Sequence, residues 1–190
     1  MMLNARVLAL VACLALAGAP LAAADDVLDA IDQGRKAFQA GDLATAKQSL
    51  DLASQLIGQK TAEAFAALMP KPLAGWKADD AQTTAVGAAM FGASTASRTY
   101  TNAKGDTVEV QITGDSAMIA QLAPIMANPQ FAGAMGKIVR VGNQRAIQNP
   151  QGDLQMIVAN KFLVAVSGSA AADAKVAYAQ AVDVAKLAKM

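Results

Sequence analysis

The chain has no histidine and a single cysteine, Cys13. Without imidazole there is no Ser-His-Asp triad and no ordinary zinc or haem site. With one thiol there is no internal disulfide, so stability must come from apolar burial and association. Aromatic residues make up 4% of the chain, with one tryptophan, and charged residues only 16%. Neither sign of charge dominates, since 16 Lys+Arg face 15 Asp+Glu. The longest basic run is Arg35-Lys36. That balance gives no reason to expect nucleic acid or an anionic membrane as partner.

What is there begins with a leader. Asn4 and Arg6 are followed by an apolar run from Val7 to Gly18, a break at Pro20, and small residues at Ala22-Ala23-Ala24. The pattern predicts a secretory signal peptide over 1–24, too short and wrongly flanked to span a membrane. Cleavage after Ala24 removes Cys13 and starts the mature chain at Asp25. Arg6 is the leader's only charge, so the mature chain is balanced. Leu10-Val11-Ala12-Cys13 also resembles a lipoprotein cleavage box, which would anchor the chain through Cys13. The expected location is the periplasm or the medium, with no transmembrane segment after processing.

Residues 25–69 read as a helical hairpin. Val27, Leu28, Ile31 and Phe38 recur at roughly helical spacing, Gly41 interrupts, and Asp42 is placed to cap a second helix. Leu43, Ala46, Leu50, Ala53 and Ile57 then form one apolar stripe, with Phe65 and Leu68 turned inward further on. Pro70-Lys71-Pro72 and Gly75-Trp76 mark 70–82 as a linker. From 83 to 190 the pattern is of strands, with helices at Ser116–Asn128 (carrying Pro124) and Ala170–Lys189. Val108, Val110 and Ile112 alternate as a half-buried strand does. Ala85–Ser94, apolar and glycine-rich, reads as a further strand.

One internal repeat stands out. Arg98, Asn102, Gly105 and Asp106 recur 47 residues later as Arg145, Asn149, Gly152 and Asp153, and Tyr100 corresponds to Ile147. Each set lies on a strand–turn–strand unit, 98–113 and 145–160, whose turn chemistry Asn and Gly supply. Calcium is the sharper alternative, but it takes about six to eight oxygen ligands and each loop offers two oxygen-bearing side chains. The fold expected is α+β: the hairpin, then an antiparallel sheet of six to seven strands with helices packed mainly on one face.

The hairpin resembles a tetratricopeptide repeat. Gly34, Ala37, Gly41, Leu43, Ala46, Leu50 and Ala53 fall at the spacings of that family's small and large packing residues, over about residues 29–58. Ala37, with Phe38 beside it, stands where the family has a large residue, and Gly58 stands near its proline. The resemblance implies a surface that packs on protein, either its own domain, a second copy or a bound peptide. A lone repeat cannot bury its own apolar face.

No catalytic set emerges. Glu63 and Glu109 are the only glutamates after the leader, and no Ser-x-x-Lys, nucleotide-binding glycine pattern or methionine cluster of copper type is present. No cofactor is expected. Candidate binding residues are Trp76, placed to cap a groove; Arg98 and Arg145, equivalent positions able to share an anionic group; Tyr100; and Met118 and Met126 on the helix before Met135. Three functions follow. One is a non-enzymatic scaffold or binding protein that meets another envelope protein or itself. The second is a carrier of a small apolar ligand held between the sheet and the methionine-bearing helix. The third is a hydrolase working through carboxylates alone, Glu109 or an aspartate.

Overall fold

A computed structural model describes residues 22–86, 92–114 and 116–190. The proposed leader lies outside the described residues except for Ala22–Ala24, as does half of the expected strand over Ala85–Ser94. Helix α1 spans Ala22–Gln39 and α2 Leu43–Ala67. Asp42 caps α2, accepting the Thr45 N–H at 3.0 Å, and α2 passes Gly58 without a break. The two helices cross closely because Gly34 has no side chain. A Cβ there would stand 3.1 Å from Leu50 Cγ.

Strands β1 (Trp76–Ala78), β2 (Gln82–Val86), β3 (Ala93–Asn102) and β4 (Thr107–Gly114) follow. Helices α3 (Ala117–Ala127) and α4 (Pro129–Met135) lead to a second strand run: β5 (Lys137–Val141), β6 (Gln144–Gln148), β7 (Leu154–Val158) and β8 (Phe162–Ser167). Helices α5 (Ala172–Ala181) and α6 (Val184–Leu187) close the chain. The strands form one antiparallel sheet in the order β1-β3-β4-β8-β7-β6-β5, with β2 also on β3. The sheet therefore has eight strands, more than the six to seven expected. The added one is β1, inside the proline- and glycine-bearing segment read as a linker. Three residues give too little alternation to betray a strand. The expected terminal helix is likewise divided, because Val182 is extended and Asp183 starts a new cap on Lys186 N–H.

The alternating strands place Val108, Val110, Ile112, Leu154, Met156, Val158, Val164 and Val166 on one face. That face packs against α2 through Phe65 and Met69, and against α5 and α6 through Tyr178, Ala179 and Leu187. Most of the helical cover lies here. The other face is covered at the β5–β7 end by α3 and α4, where Met126, Ala132, Ile147 and Ile157 make a small second cluster.

The 70–76 segment is strapped down by aromatic side chains. Tyr100 donates to the Pro70 carbonyl at 2.7 Å, and the Leu73 N–H donates to the Tyr178 hydroxyl at 3.2 Å. Trp76 meets Tyr178 edge to face at 5.4 Å, and Tyr178 lies 4.3 Å from Tyr100. Burial pushes the Tyr100 phenol up to about 12; the charge of Arg98 opposes this and Tyr178 adds to it. Burial raises Tyr178 as well, against the Leu73 hydrogen bond. These are the chain's 2 tyrosines. A folded pKa above the unfolded value of about 10 contributes stability that is intact below pH ~10 and is lost as pH rises through the folded values. At about pH 10.5 the urea-unfolded chain should be roughly three-quarters ionised at tyrosine, and the folded protein should show clearly less tyrosinate absorbance. Equal absorbance in the two states would contradict the buried arrangement.

Candidate functional site

The α1–α2 hairpin carries an apolar ribbon that the fold leaves uncovered. Sequence periodicity places Leu43, Leu50 and Ile57 on the packed stripe together with Ala46 and Ala53. In the structure the small residues Ala46, Ser49 and Ala53 are buried. The large ones face out: Leu43 is 65% exposed, Leu50 51% and Ile57 50%. On α1, Leu28 at 62% and Phe38 at 67% join them. The two helices approach closely, the small residues fill the seam, and Leu50 lies across Gly34 at its margin with half of its surface still exposed. At the far end of the ribbon an apolar cleft of about 520 Å³ opens among Val27, Leu28, Ile57, Ala64 and Met190. Lys60 and Thr61 also line the cleft, and two exposed ion pairs within single helices, Asp32–Arg35 and Lys47–Asp51, contribute little.

The residues singled out by sequence fall in separate places. Arg98 shares the α5-side face with Tyr100 and Ala96, whereas Arg145 stands opposite Arg140 on the other face, beside Ile147. The pair of equivalent arginines therefore does not form one anion clamp. Tyr100 is fully buried and braces Pro70. Met118 is exposed while Met126 is buried. The structure does bring Met126 and Arg145 together, with Ala123, Ile147, Ile157 and Asn160, around a cavity of about 180 Å³. That is smaller than the roughly 300–1,000 Å³ of ordinary ligand pockets. Glu109 is exposed on β4, and no cluster of three or more acidic groups suited to a metal occurs among the described residues.

The reason for the split arginines lies in the two matching turns. Antiparallel neighbours in the order β3-β4-β8-β7-β6 make β3 and β6 run in one direction, so both turns emerge at the same end of the sheet. The return strand lies on opposite sides in the two hairpins. One hairpin is therefore the other rotated half a turn about an axis along the strands, and equivalent residues point to opposite faces. The turns themselves match closely. Asn102 Nδ2 donates to Asp106 Oδ2 at 2.9 Å, and Asn149 Nδ2 to Asp153 Oδ2 at 3.0 Å. The Asp106 and Asp153 N–H groups return to Asn Oδ1 at 3.0 and 2.8 Å. Gly105 and Gly152 supply the left-handed residue at φ 88° and 83°. The oxygen side chains thus satisfy one another, as turn chemistry predicts.

One strong feature has no sequence signal. Lys175 on α5 is buried, its side chain only 2% exposed, and Nζ donates to Asp153 Oδ1 at 2.6 Å and to the Gln151 carbonyl at 2.9 Å. Burial alone would raise the Asp153 carboxyl. The hydrogen bonds from Lys175 and Asn149, the Lys175 charge and the Gly168 N–H outweigh it and hold the group below its usual range. No described helix is long and apolar enough to cross a membrane. Compared with known proteins, the chain matches no family model, no curated protein and no solved structure.

Proposed function

We propose that this protein is an exported, non-catalytic binding protein of the bacterial envelope, engaging an apolar segment of another protein through its N-terminal hairpin. The apolar ribbon from Phe38 and Leu43 to the cleft at Leu28 and Ile57 carries this reading. Contiguous exposed apolar surface on a helix pair marks a docking site, and a groove between helices suits an amphipathic helix. The tetratricopeptide resemblance supports it, since that architecture uses helix pairs to hold protein segments. The leader-like start of the sequence supports export. A carrier role for a small apolar ligand is the second reading, and the apolar walls of the cleft, rather than the small cavity at Met126, favour it there.

Photo-crosslinking in the native envelope tests the proposal. A photoreactive residue at Leu50 should give a discrete crosslinked partner, and one at the exposed Gln155 on β7 should give none. Leu43→Glu with Ile57→Glu should abolish the product while changing stability by less than about 0.5 kcal/mol each, as for exposed side chains elsewhere. The recovered chain should start at Asp25 by intact mass. An uncrosslinked chain with a Leu50 probe, or an untrimmed N-terminus in the cytosol, would overturn the reading. A homodimer would convert it to self-association, and a retained apolar small molecule in native mass spectrometry would convert it to carriage.

A further inference from the structure

Helices α3 and α4 carry no charged residue; none occurs from Ser116 to Gly136. They cover the outer face of the sheet at its β5–β7 end, and Ile119, Ala123, Met126 and Ala132 form their buried stripe. A helix that only covers a sheet is polar on its other side. Here the other side is apolar too: Met118 and Ile125 on α3, and Phe131 and Met135 on α4, are all exposed.

The charge beside this surface is of one sign. No acidic residue lies between Asp115 and Asp153 in the sequence, and Asp153 is turned to Lys175. Arg140 and Arg145 are direct cross-strand partners of β5 and β6, on the same outer face. Arg145 reaches α3, lining the small cavity with Ala123 and Met126. Arg140 is exposed and makes no ion pair among the described residues. Like charges set directly opposite cost a sheet stability, a cost that an anion lying across the pair relieves. The balanced charge of the whole chain therefore hides a local excess of cations beside two uncharged helices.

We infer that the α3–α4 face lies on an anionic phospholipid surface, with Met118, Ile125, Phe131 and Met135 entering the headgroup layer and Arg140 and Arg145 meeting lipid phosphates. Exposed side chains without hydrogen-bonding groups need an apolar medium. Paired arginines at their flank need fixed negative charge next to it. A bilayer interface supplies both. With 11 and 7 residues, the helices are too short to span a bilayer and are suited to lie along it. The hairpin ribbon of the proposed function has a different setting, with Asp29, Asp32, Asp51 and Glu63 on its two helices, so the two surfaces take different partners.

Cosedimentation with lipid vesicles tests this. The protein should bind vesicles of equal parts phosphatidylglycerol and phosphatidylcholine, and should bind pure phosphatidylcholine about tenfold more weakly or worse. Salt at about 0.5 M should weaken the anionic binding by screening the arginines. Arg140→Gln should weaken it about fivefold, and Phe131→Ser with Met135→Ser about tenfold or more. Melting temperatures should stay unchanged, because all three side chains are exposed. Phe131→Trp keeps an aromatic body suited to the bilayer interface and should bind at least as well as the wild type, which separates lost contact from lost folding. Leu43→Glu with Ile57→Glu should leave vesicle binding unchanged. Every variant carries the same N-terminus, so any contribution of the leader cancels between them. Equal binding to neutral and anionic vesicles, undiminished binding in Phe131→Ser with Met135→Ser, or loss only in the hairpin variant overturns the inference. So does a photoreactive residue at Phe131 that captures protein and no lipid in the native envelope, which would assign the face to an acidic protein partner.

Discussion

Phe65→Ala is expected to lower the unfolding free energy by about 3–5 kcal/mol, out of a total of roughly 5–15 kcal/mol for a domain of ordinary stability. Phe65 is fully buried where α2 meets the sheet. Its ring meets Phe162 edge to face at 5.6 Å, a geometry that adds about 0.5–1.5 kcal/mol to the burial itself. It also fills the space above Gly114, where a Cβ would come within 2.6 Å of Phe65 Cζ. Alanine would leave a ring-sized void bounded by strands that cannot close around it, because β4 is pinned between β3 and β8. Urea unfolding followed by circular dichroism measures the loss. The loss should not depend on protein concentration, because the ring docks α2 on the sheet of its own chain. A concentration-dependent loss would mean that this face of α2 is completed by a second molecule. The functional consequence is specific: α2 carries Leu43, Leu50 and Ile57 of the exposed ribbon, so loosening its anchor should weaken partner capture even though Phe65 itself is out of reach of a partner.

What could be read from the residues, and what could not, follows from the kind of information that periodicity holds. The period of two in Thr107–Thr113 places Val108, Val110 and Ile112 on one side and Glu109 on the other, and the strand has that arrangement. The Asn-x-x-Gly-Asp pattern likewise announces both turns, because only local geometry is needed. Neither signal says which side of a sheet a strand will present. That depends on strand order, and the adjacency of β4 and β8 is set by contacts between residues as far apart in sequence as Glu109 and Ser167. Hence Arg98 and Arg145, equivalent by spacing, lie on opposite faces. In α2 the period of 3.6 reads Leu43, Ala46, Leu50, Ala53 and Ile57 as one apolar stripe. Periodicity does not tell its centre from its margin: the structure buries Ala46, Ser49 and Ala53, and leaves Leu43, Leu50 and Ile57 half or more exposed, Leu50 lying across Gly34. Lys175 gave no warning, because a lone lysine in a helix is ordinarily solvated; its partner is 22 residues away on a turn that closes without it.

That buried lysine supports the second large effect. Asp153→Ala is expected to cost about 3–5 kcal/mol, more than Lys175→Met. The asymmetry comes from what each change leaves behind. Removing the carboxylate strands an ammonium whose side chain is 2% exposed, with only the Gln151 carbonyl to meet it. Removing the ammonium leaves a carboxylate that is 29% exposed and still accepts from Asn149 and the Gly168 N–H, while methionine fills most of the vacated volume. The cost of Lys175→Met should therefore be nearer about 1.5–3 kcal/mol, the scale of a lost hydrogen bond to a charged group. The pH dependence gives an independent check. The Asp153 carboxyl titrates below its usual value in the folded protein, so its contribution is complete above the unfolded pKa of about 3.8–3.9 and is lost as pH falls through the lower folded value. Stability measured from pH 6 down to about pH 2 should drop in that acid window in the wild-type chain, and the drop should shrink in Lys175→Met because the main support for the ionised form is gone. If the two substitutions cost the same, or the acid limb is unchanged without Lys175, the ion pair does not hold α5 to the second turn.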